Sequence, residues 1–267
     1  MAAVESAALA PATGAPQPVV EVRSVSKFYG GGVHALDAVS LEFREGQLTS
    51  LLGPSGCGKT TLLKIVAGLI PADGGEVRVK GRSVAGPGPE RSFVFQDFAL
   101  LPWATVLRNA AFGLELRGVP RTRREAVAAA QIAKVGLGGF EHKYPHELSG
   151  GMRQRVGLAR ALAIEADIIL MDEPFSAVDE QTRRKFQEDL LELIARERKT
   201  FIFVTHSIEE AVYVSDRIAL LTPRPGRVSQ VIDVAVPRGA DRDAIRRHPV
   251  YLDMVESIWG GLKQYVE

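Results

Sequence analysis

The chain has 267 residues, which is long enough for one large α/β domain or for one domain with an inserted lobe. Its formal net charge of +1 argues against a general nucleic-acid binder, because the neutralisation of phosphates requires a clustered surplus of basic residues. The single cysteine, Cys57, excludes an internal disulfide and a metal site built from several cysteines.

Membrane insertion and secretion are not expected from the sequence. No apolar stretch reaches the roughly 18 residues that are needed to span a bilayer. The N-terminus lacks the basic-then-apolar order of a secretory signal. The densest basic run, Arg121, Arg123 and Arg124, is followed by Glu125, and we interpret it as the solvated start of a helix rather than a phosphate-binding patch. We therefore expect any connection to a membrane to come through a partner.

The N-terminal third predicts a tail followed by antiparallel strands. Residues 1–18 are rich in Ala and Pro and lack apolar periodicity, which is typical of a disordered tail. From Val19 the pattern changes to period two, as in the alternation of Val20 and Val22 with polar residues. The same pattern returns over residues 39–44 and 76–79, and it indicates half-buried antiparallel strands.

Further along the chain, strands alternate with helices. The predicted elements are a strand at 47–52, a helix at Lys59–Ala67, a mostly helical block at 98–163 broken at 118–120 and 136–145, strands at 167–171, 200–204 and Arg217–Leu221, and helices at 181–196 and Ile208–Val214. This alternation predicts a mostly parallel sheet that is covered on both faces. We predict an α/β domain over residues 19–236, with the helical block at about 98–163 as an inserted lobe, and a helical tail over 237–267.

A glycine-rich loop between the predicted strand at 47–52 and the following helix fits the phosphate-binding P-loop pattern. Its residues are Gly53, Pro54, Ser55, Gly56, Cys57, Gly58, Lys59 and Thr60, followed by Thr61. The glycines let backbone N–H groups close around phosphate oxygens, and the helix adds its positive N-terminal end. Lys59 is expected to reach the β- and γ-phosphates, and the Thr60 hydroxyl to coordinate Mg²⁺. A plain glycine-rich turn is the alternative.

Two carboxylates, Asp172 and Glu173, end the apolar strand predicted at 167–171. Ligands bind at the carboxyl ends of parallel strands, so this strand end should lie beside the P-loop. Asp172 is then placed to hold Mg²⁺ and Glu173 to polarise the attacking water. Acidic residues at a strand end are often only solvated, but the presence of a P-loop favours the magnesium interpretation.

A second helix start carries features of a phosphate site. Ser149 is a natural N-cap for the helix that runs to Ala163, and a cap alone would explain a serine there. The adjacent Gly150 and Gly151 favour more than a cap, because they cost helix stability and expose backbone N–H groups. The chain thus presents two helix starts that are suited to phosphate binding.

The P-loop, residues 148–154 and the Asp172–Glu173 strand end occur in the order and spacing of an ATP-binding-cassette (ABC) nucleotide-binding domain. The chain resembles that family over about residues 19–236. The resemblance implies a P-loop NTPase fold with a RecA-like parallel sheet, an antiparallel β subdomain and an inserted α-helical subdomain. It also implies an ATPase that uses ATP and Mg²⁺ and works as a homodimer, in which residues 149–151 are the signature motif that completes the ATP site of the opposite subunit.

The resemblance assigns further roles. Gln96 matches the Q-loop glutamine, which contacts Mg²⁺ and the attacking water, and residues 176–179 match the D-loop, with Asp179 at its end. Val178 stands where the family usually has Leu. His206 matches the switch histidine that faces the γ-phosphate, although a lone histidine after a strand can also be structural.

The same family pattern places an aromatic ring against adenine, where this chain has both Phe28 and Tyr29. The order Ser-Lys-Phe-Tyr-Gly over residues 26–30 favours Tyr29, and an edge-strand tyrosine without a ligand is the competing interpretation. Cys57 occupies a variable position of the P-loop, so we expect its side chain to pack and to have no role in catalysis.

The absence of a second such domain and of a membrane span predicts a separate ATPase subunit of a bacterial importer. Such a subunit lies at the cytoplasmic face of the inner membrane, binds integral-membrane permease subunits, and depends indirectly on a solute-binding protein. Residues 95–103 and 215–227 resemble the nitrate/sulfonate/taurine importer group, which predicts a small anion as the solute. Leu101, Trp103 and Val106 either line a groove for the permease's coupling helix or are core residues.

Three alternatives remain open at the level of sequence. A P-loop kinase would use Lys59 and Thr60, but it would not need residues 149–151 or His206. A nucleic-acid-processing ABC ATPase would share every motif, but DNA should stimulate its activity and salt should weaken that effect steeply. The ATPase subunit of a lipid or lipoprotein system is the nearest alternative within the same class.

Overall fold

The computed structural model describes residues 18–176, 178, 180–237, 242–263 and 265. Apart from Pro18, the tail that was predicted over residues 1–18 lies outside these residues. The elements are β1 (Pro18–Tyr29), β2 (Val33–Arg44), β3 (Leu48–Leu52), α1 (Lys59–Ala67), β4 (Gly74–Val79), β5 (Arg82–Ser83), β6 (Arg91–Val94), α2 (Val106–Leu116), α3 (Arg121–Lys134), α4 (Gly150–Ala163), β7 (Ile168–Asp172), α5 (Glu180–Glu197), β8 (Thr200–Thr205), α6 (Ile208–Val214), β9 (Arg217–Leu221), β10 (Val228–Asp233), α7 (Arg242–Arg247) and α8 (Pro249–Lys263).

The strands form two sheets. A four-stranded antiparallel sheet has the order β2-β1-β4-β5, and a six-stranded sheet has the order β10-β9-β3-β8-β7-β6. The second sheet is parallel from β9 to β6, and only its edge strand β10 is antiparallel to its neighbour. The predicted α/β fold with a separate antiparallel subdomain is therefore confirmed.

The six-stranded sheet is covered on both faces. Alternate side chains of its strands belong to two different hydrophobic clusters, one on each face. Leu51 of β3 and Ile202 of β8 pack with α1 and the four-stranded sheet on one side. Leu52 and Phe201, which alternate with them, pack with helices α4, α5, α6 and α8 on the other side. Because successive side chains of a strand point to opposite faces, these apolar runs fix α1 between the two sheets.

The inserted helical lobe consists of α2, α3 and α4 and lies between β6 and β7 in the chain. Its last helix is tied to the segment that follows β6. Arg160 of α4 donates hydrogen bonds to the carbonyl oxygens of Phe98, at 2.7 Å, and Ala99, at 2.6 Å. Phe98 and Ala99 have positive φ angles of 63° and 44°, which residues other than glycine rarely adopt. The Arg160 guanidinium therefore stabilises an unusual backbone turn.

The C-terminal residues pack on the rest of the chain through α8. Tyr251, Ile258 and Leu262 are buried in the cluster that includes α6, and the Tyr251 hydroxyl donates to the Glu209 carbonyl at 3.3 Å. Among the described residues, no helix has both the length and the apolar character needed to cross a membrane. The division of the chain at residues 18, 236 and 98–163 stays a prediction.

Candidate active site at the phosphate loop

The loop between β3 and α1 takes its conformation from glycines. Gly56 and Gly58 have φ values of 77° and 101°, in the left-handed region that favours glycine. A Cβ atom on Gly58 would lie 2.6 Å from Leu36 Cδ2 and 2.9 Å from the Ala35 carbonyl oxygen, so β2 leaves no space for a side chain there. The loop leads directly into α1, whose first N–H groups have no partner within the helix. This arrangement is a ready anion-binding site.

Lys59, the first residue of α1, is buried and folds back over the loop. Its Nζ atom donates to the carbonyl oxygens of Gly53, at 2.7 Å, and Pro54, at 2.9 Å. The Cys57 Sγ atom lies 3.8 Å away, and burial raises the pKa of this thiol, which is therefore neutral. As expected, the Cys57 side chain packs in the core, and the hydrogen-bond partners of Lys59 are all uncharged groups.

Asp172, at the end of β7, contacts the start of α1. The Thr60 hydroxyl donates to Asp172 Oδ1 at 2.7 Å, which joins positions 112 residues apart in the chain. Burial raises the pKa of the Asp172 carboxyl, and the neighbouring charge of Glu173 raises it further, whereas the Thr60 hydrogen bond opposes them. The strand end thus lies beside the P-loop, as the parallel sheet predicts.

Glu173 brings together the three residues that were predicted to be catalytic. Its backbone has a φ of 44°, and its N–H donates to the Val204 carbonyl at 3.0 Å. The Glu173 Oε2 atom lies 3.2 Å from His206 Nδ1 and 3.5 Å from Gln96 Nε2. A strained backbone held in place by β8 is typical of a functional position. Residues from the ends of β6, β7 and β8 therefore converge on one carboxylate.

Tyr29, rather than Phe28, lies at the phosphate loop. The Tyr29 hydroxyl is 3.3 Å from Thr61 Oγ1, and the ring lines a cavity of about 230 Å³ together with residues of the P-loop. The Phe28 ring instead stacks on His34, with ring centroids 4.2 Å apart. An exposed tyrosine ring at this cavity is suited to stacking against a base.

The predicted signature residues start α4 and do not line this cavity. The Ser149 hydroxyl caps the helix by accepting from Met152 N–H at 3.3 Å. Gly151 is buried, and a Cβ atom there would lie 2.7 Å from Thr182 Cγ2 and 2.9 Å from Val178 Cγ1. Glycine therefore allows α4 to approach the start of α5, and Gly150 beside it is half-buried. The predicted site residue Asp179 lies outside the described residues.

Two residues near the site were missed by the sequence analysis. Arg224, between β9 and β10, donates from Nε at 3.1 Å and from Nη2 at 3.0 Å to the Gly56 carbonyl oxygen. Glu210 of α6 accepts from the Thr205 hydroxyl at 2.6 Å, directly before His206, and burial raises the pKa of its carboxyl. Arg224 lies in the segment 215–227 that resembles the importer group, but that resemblance gave it no role at the site, and no motif marks Glu210. The folding of distant segments onto the loop reveals both.

In the segment after Gln96, the exposure of each side chain distinguishes a core residue from one that is available to a permease. Val106 is fully buried, as a core residue would be. Trp103 is 70% exposed, which excludes a core role and leaves a large apolar surface beside the helical lobe. Leu101 is half-buried between them.

Comparisons with known proteins agree with this geometry. The family profile described as ABC transporter matches residues 36–176. An uncharacterized ABC transporter ATP-binding protein of Methanocaldococcus jannaschii is 50% identical over 227 residues, which are 85% of this chain and 85% of that protein. The taurine import ATP-binding protein TauB of Pseudomonas syringae pv. tomato is 45% identical over 245 residues, which are 90% of this chain and 94% of that protein.

A solved structure supports the same assignment. It is a dimeric ATP-binding cassette in a post-hydrolysis state with ADP and Pi, and it is 33% identical with a TM-score of 0.71 over 82% of this chain and 99% of the other. The family predicted from the P-loop, the signature residues and the Asp172–Glu173 pair is therefore confirmed. The chain belongs to the ABC transporter family and is one of its ATPases.

Proposed function

We propose that this chain is the ATP-hydrolysing subunit of a bacterial importer for a small sulfonate such as taurine. The observation that carries the proposal is the 45% identity to the taurine import protein TauB over 90% of the chain. TauB proteins of Rhizobium johnstonii and Chromobacterium violaceum are similar to a like degree, at 45% and 46% identity. Nitrate remains the second solute of the same importer group.

The arrangement of the site supports a division of labour around ATP. The backbone N–H groups of Gly53 and of residues 55–61, together with the Lys59 ammonium, would hold the phosphates, and Tyr29 would stack against adenine. Glu173 would act as the general base for the attacking water, with His206 and Gln96 orienting its carboxylate from two sides. The distances of 3.2 and 3.5 Å to one oxygen of Glu173 support this assignment.

Mg²⁺ fits the donor set at the start of α1. Hard oxygen ligands suit this ion, and the Thr60 hydroxyl and the Asp172 carboxylate lie 2.7 Å apart beside the loop. The raised pKa of Asp172 reflects a buried carboxyl next to Glu173, which a cation would favour in its ionised form. Thr60, Asp172 and the Gln96 amide would hold the ion, whose charge would balance that of the phosphates. The chain's own residues then position and deprotonate the water.

A homodimer with shared ATP sites is what the resemblance to the family implies, and the separation of the two helix starts that are suited to phosphate binding supports it. Residues 149–151 do not line the cavity at the P-loop of their own chain. The solved relative is described as a dimer with ADP and Pi, which supports pairing of such cassettes. We propose that residues 149–151 of one copy, with Asp179, complete the site of the other.

The partners and the location of the chain follow from the importer role. An exposed Trp103 on the surface of the helical lobe supports docking to integral-membrane permease subunits at the cytoplasmic face of the inner membrane. A solute-binding protein would act on this assembly indirectly, from the other side of the membrane. We propose no contact with nucleic acid, since the net charge is only +1.

Uptake measurements in the native host test the transport role. Deletion of the gene should abolish growth on taurine as the sole sulfur source and ATP-dependent uptake of labelled taurine, and the wild-type gene should restore both. Complementation with Glu173→Gln should restore neither. If the deletion strain takes up taurine normally but has lost nitrate uptake, nitrate replaces taurine as the proposed solute. If the deletion strain takes up both solutes normally, the proposal is contradicted.

Mixed dimers test the sharing of ATP sites. In the Glu173→Gln background, we combine one chain carrying Lys59→Ala with one carrying Ser149→Arg and count the trapped ATP per dimer. Shared sites leave one complete site, with the intact Lys59 and Ser149 on different chains, whereas unshared sites leave none. With both changes on one chain and an unaltered partner, sharing spoils both sites. Trapping in the second arrangement alone would contradict the shared site.

A further inference from the structure

The hairpin between β9 and β10 packs directly on the phosphate loop. Gly226 of this hairpin donates its N–H to the Ala35 carbonyl at 2.9 Å and accepts from Asp37 N–H at 3.0 Å. A Cβ atom on Gly226 would lie 2.0 Å from the Cys57 carbonyl oxygen, so the two backbones are in contact. Arg227 forms an ion pair with Asp37 and so links the hairpin to β2 a second time. The tip of the hairpin is therefore held at the P-loop by backbone and side-chain bonds.

Arg224 at this tip carries a positive charge that has no acidic partner among the residues that the structure describes. Both of its hydrogen bonds go to one acceptor, the Gly56 carbonyl oxygen, from Nε and Nη2. A guanidinium has five N–H donors, so the remaining donors are free for a ligand. Arg227, three residues later, is by contrast neutralised by Asp37.

The cavity beside Arg224 is lined by two positively charged side chains. Its lining includes Arg224, Lys59 and Tyr29, and Glu173 is the single acidic residue in that lining. The hydrogen-bond partners of Lys59 are likewise uncharged, namely the carbonyl oxygens of Gly53 and Pro54 and the Cys57 sulfur. Two cations without acidic partners, together with the N–H groups of a P-loop, form a site for a strongly anionic ligand.

We propose that Arg224 is a nucleotide-binding residue that positions the P-loop through Gly56 and adds a second cation for the phosphates of ATP. The inference rests on the proposed placement of the phosphates at Lys59. Its chemistry is that of an arginine fork: two donors fix one peptide of the loop, and the delocalised charge attracts the polyphosphate. Arg224 should favour ATP over ADP, since ATP carries the larger negative charge.

Two substitutions separate the charge of Arg224 from its hydrogen bonds. Arg224→Gln keeps a donor for the Gly56 carbonyl but has no charge, and Arg224→Lys keeps the charge but lacks the fork. The matched control is Arg227→Gln, which removes the same type of residue from the same hairpin. The full-length variants are titrated with N-methylanthraniloyl-ATP and -ADP in EDTA at several salt concentrations.

We expect Arg224→Gln to weaken binding of the ATP probe by about 3- to 10-fold, as an exposed charge contributes roughly 1 kcal/mol, and the ADP probe by less. The dependence of Kd on salt should become shallower for Arg224→Gln and remain near that of the wild type for Arg224→Lys and Arg227→Gln. In steady-state ATPase assays Arg224→Gln should raise KM with little change in kcat.

Three results would overturn the inference. One is wild-type affinity and salt dependence in Arg224→Gln. Another is an equal loss for both probes with unchanged salt dependence, which would mean a purely structural role. The third is an equal effect of Arg227→Gln. Lys59→Ala is measured in parallel: normal probe binding by Lys59→Ala would contradict the proposed phosphate site itself, whereas its loss beside a normal Arg224→Gln would contradict only the role of Arg224.

Discussion

The Nδ1 atom of His206 lies 3.2 Å from the Oε2 atom of Glu173, which joins the ends of two adjacent parallel strands, β8 and β7. The Nε2 atom of Gln96 approaches the same oxygen at 3.5 Å from the end of β6. Donors on two sides restrict the rotation of this carboxylate. A carboxylate that is held in one orientation is suited to accept a proton from a water molecule placed next to the P-loop.

Replacement of Glu173 by Gln should nearly abolish ATP hydrolysis and preserve ATP binding. The amide keeps the shape of the side chain but cannot accept the proton, so we expect kcat to fall by about 10²- to 10⁴-fold, the usual contribution of a general base. Glu209→Gln is the matched control, because Glu209 is exposed and lies near His206 on α6. Turnover within a factor of a few of the wild type in Glu173→Gln would remove this residue from the mechanism.

Replacement of Trp103 by Ala should weaken capture by the permease and leave the isolated subunit intact. The side chain is 70% exposed, so its truncation removes little buried surface from the isolated subunit. Truncation of an aromatic hot-spot residue at an interface, by contrast, costs about 2–4 kcal/mol of binding free energy. We expect the Tm and the basal ATPase activity to match the wild type while co-purification with the permease is lost.

Leu116→Ala is the control for Trp103, since Leu116 is 72% exposed at the end of α2 in the same lobe. Capture of the permease should survive this change. If both variants bind the permease as the wild type does, the exposed Trp103 surface has another purpose. A drop of several degrees in the Tm of Trp103→Ala would instead assign it to packing.

Glu210→Gln should change how stability depends on pH. Glu210 lies among the Thr205 hydroxyl, the Gln187 amide and the Arg183 guanidinium, and burial raises the pKa of its carboxyl above the ordinary value of 4.5. The ordinary value stands for the unfolded state, and the raised pKa belongs to the folded state. Between these two pKa values the folded state binds more protons than the unfolded state, because it holds the Glu210 proton more tightly. The resulting stabilisation is complete below pH 4.5 and is lost as the pH rises through the folded pKa.

The glutamine variant lacks this contribution, so its stability relative to the wild type should increase as the pH rises through that window. Urea unfolding at a series of pH values measures the difference, with Glu209→Gln as the exposed carboxylate control. Curves for Glu210→Gln and the wild type that stay parallel across the pH range would show that Glu210 titrates alike in both states.

The elements with strong periodicity were predictable from the sequence. The helix at α1 begins and ends where predicted, and β7 is displaced from the prediction by one residue because Asp172 still pairs with Val204 of β8. Strand β10 was missed, since it is an edge strand whose side chains are mostly exposed, and β6 has only 4 residues. A short or solvated strand leaves too little apolar alternation to detect.

The site was predictable where its residues adjoin a motif and not where they reach it through space. Lys59 and Thr60 sit within the P-loop, and Asp172 and Glu173 end a buried strand. Arg224 reaches Gly56 across 168 positions of the chain, and this contact depends on how β9 and β10 turn back over β2. Pattern arguments act over a few residues, so they cannot reveal a contact of this kind.

The final prediction concerns Gly226, where the hairpin and the P-loop touch. Gly226→Ala would place a methyl group 2.0 Å from the Cys57 carbonyl oxygen, well inside van der Waals contact, so one of the two backbones must move. Overpacking of this kind costs about 1–3 kcal/mol. Because the displaced residue belongs to the P-loop, we expect weaker binding of ATP as well as a lower Tm.

Gly138→Ala provides the comparison, since a Cβ atom at Gly138 meets no atom within 4 Å. Its Tm and its affinity for N-methylanthraniloyl-ATP should equal those of the wild type. The two losses in Gly226→Ala should also be separable from the loss of charge in Arg224→Gln, because the cation remains and the salt dependence of binding should persist. If Gly226→Ala and Gly138→Ala unfold at the same temperature and bind the probe equally, the hairpin does not constrain the phosphate loop.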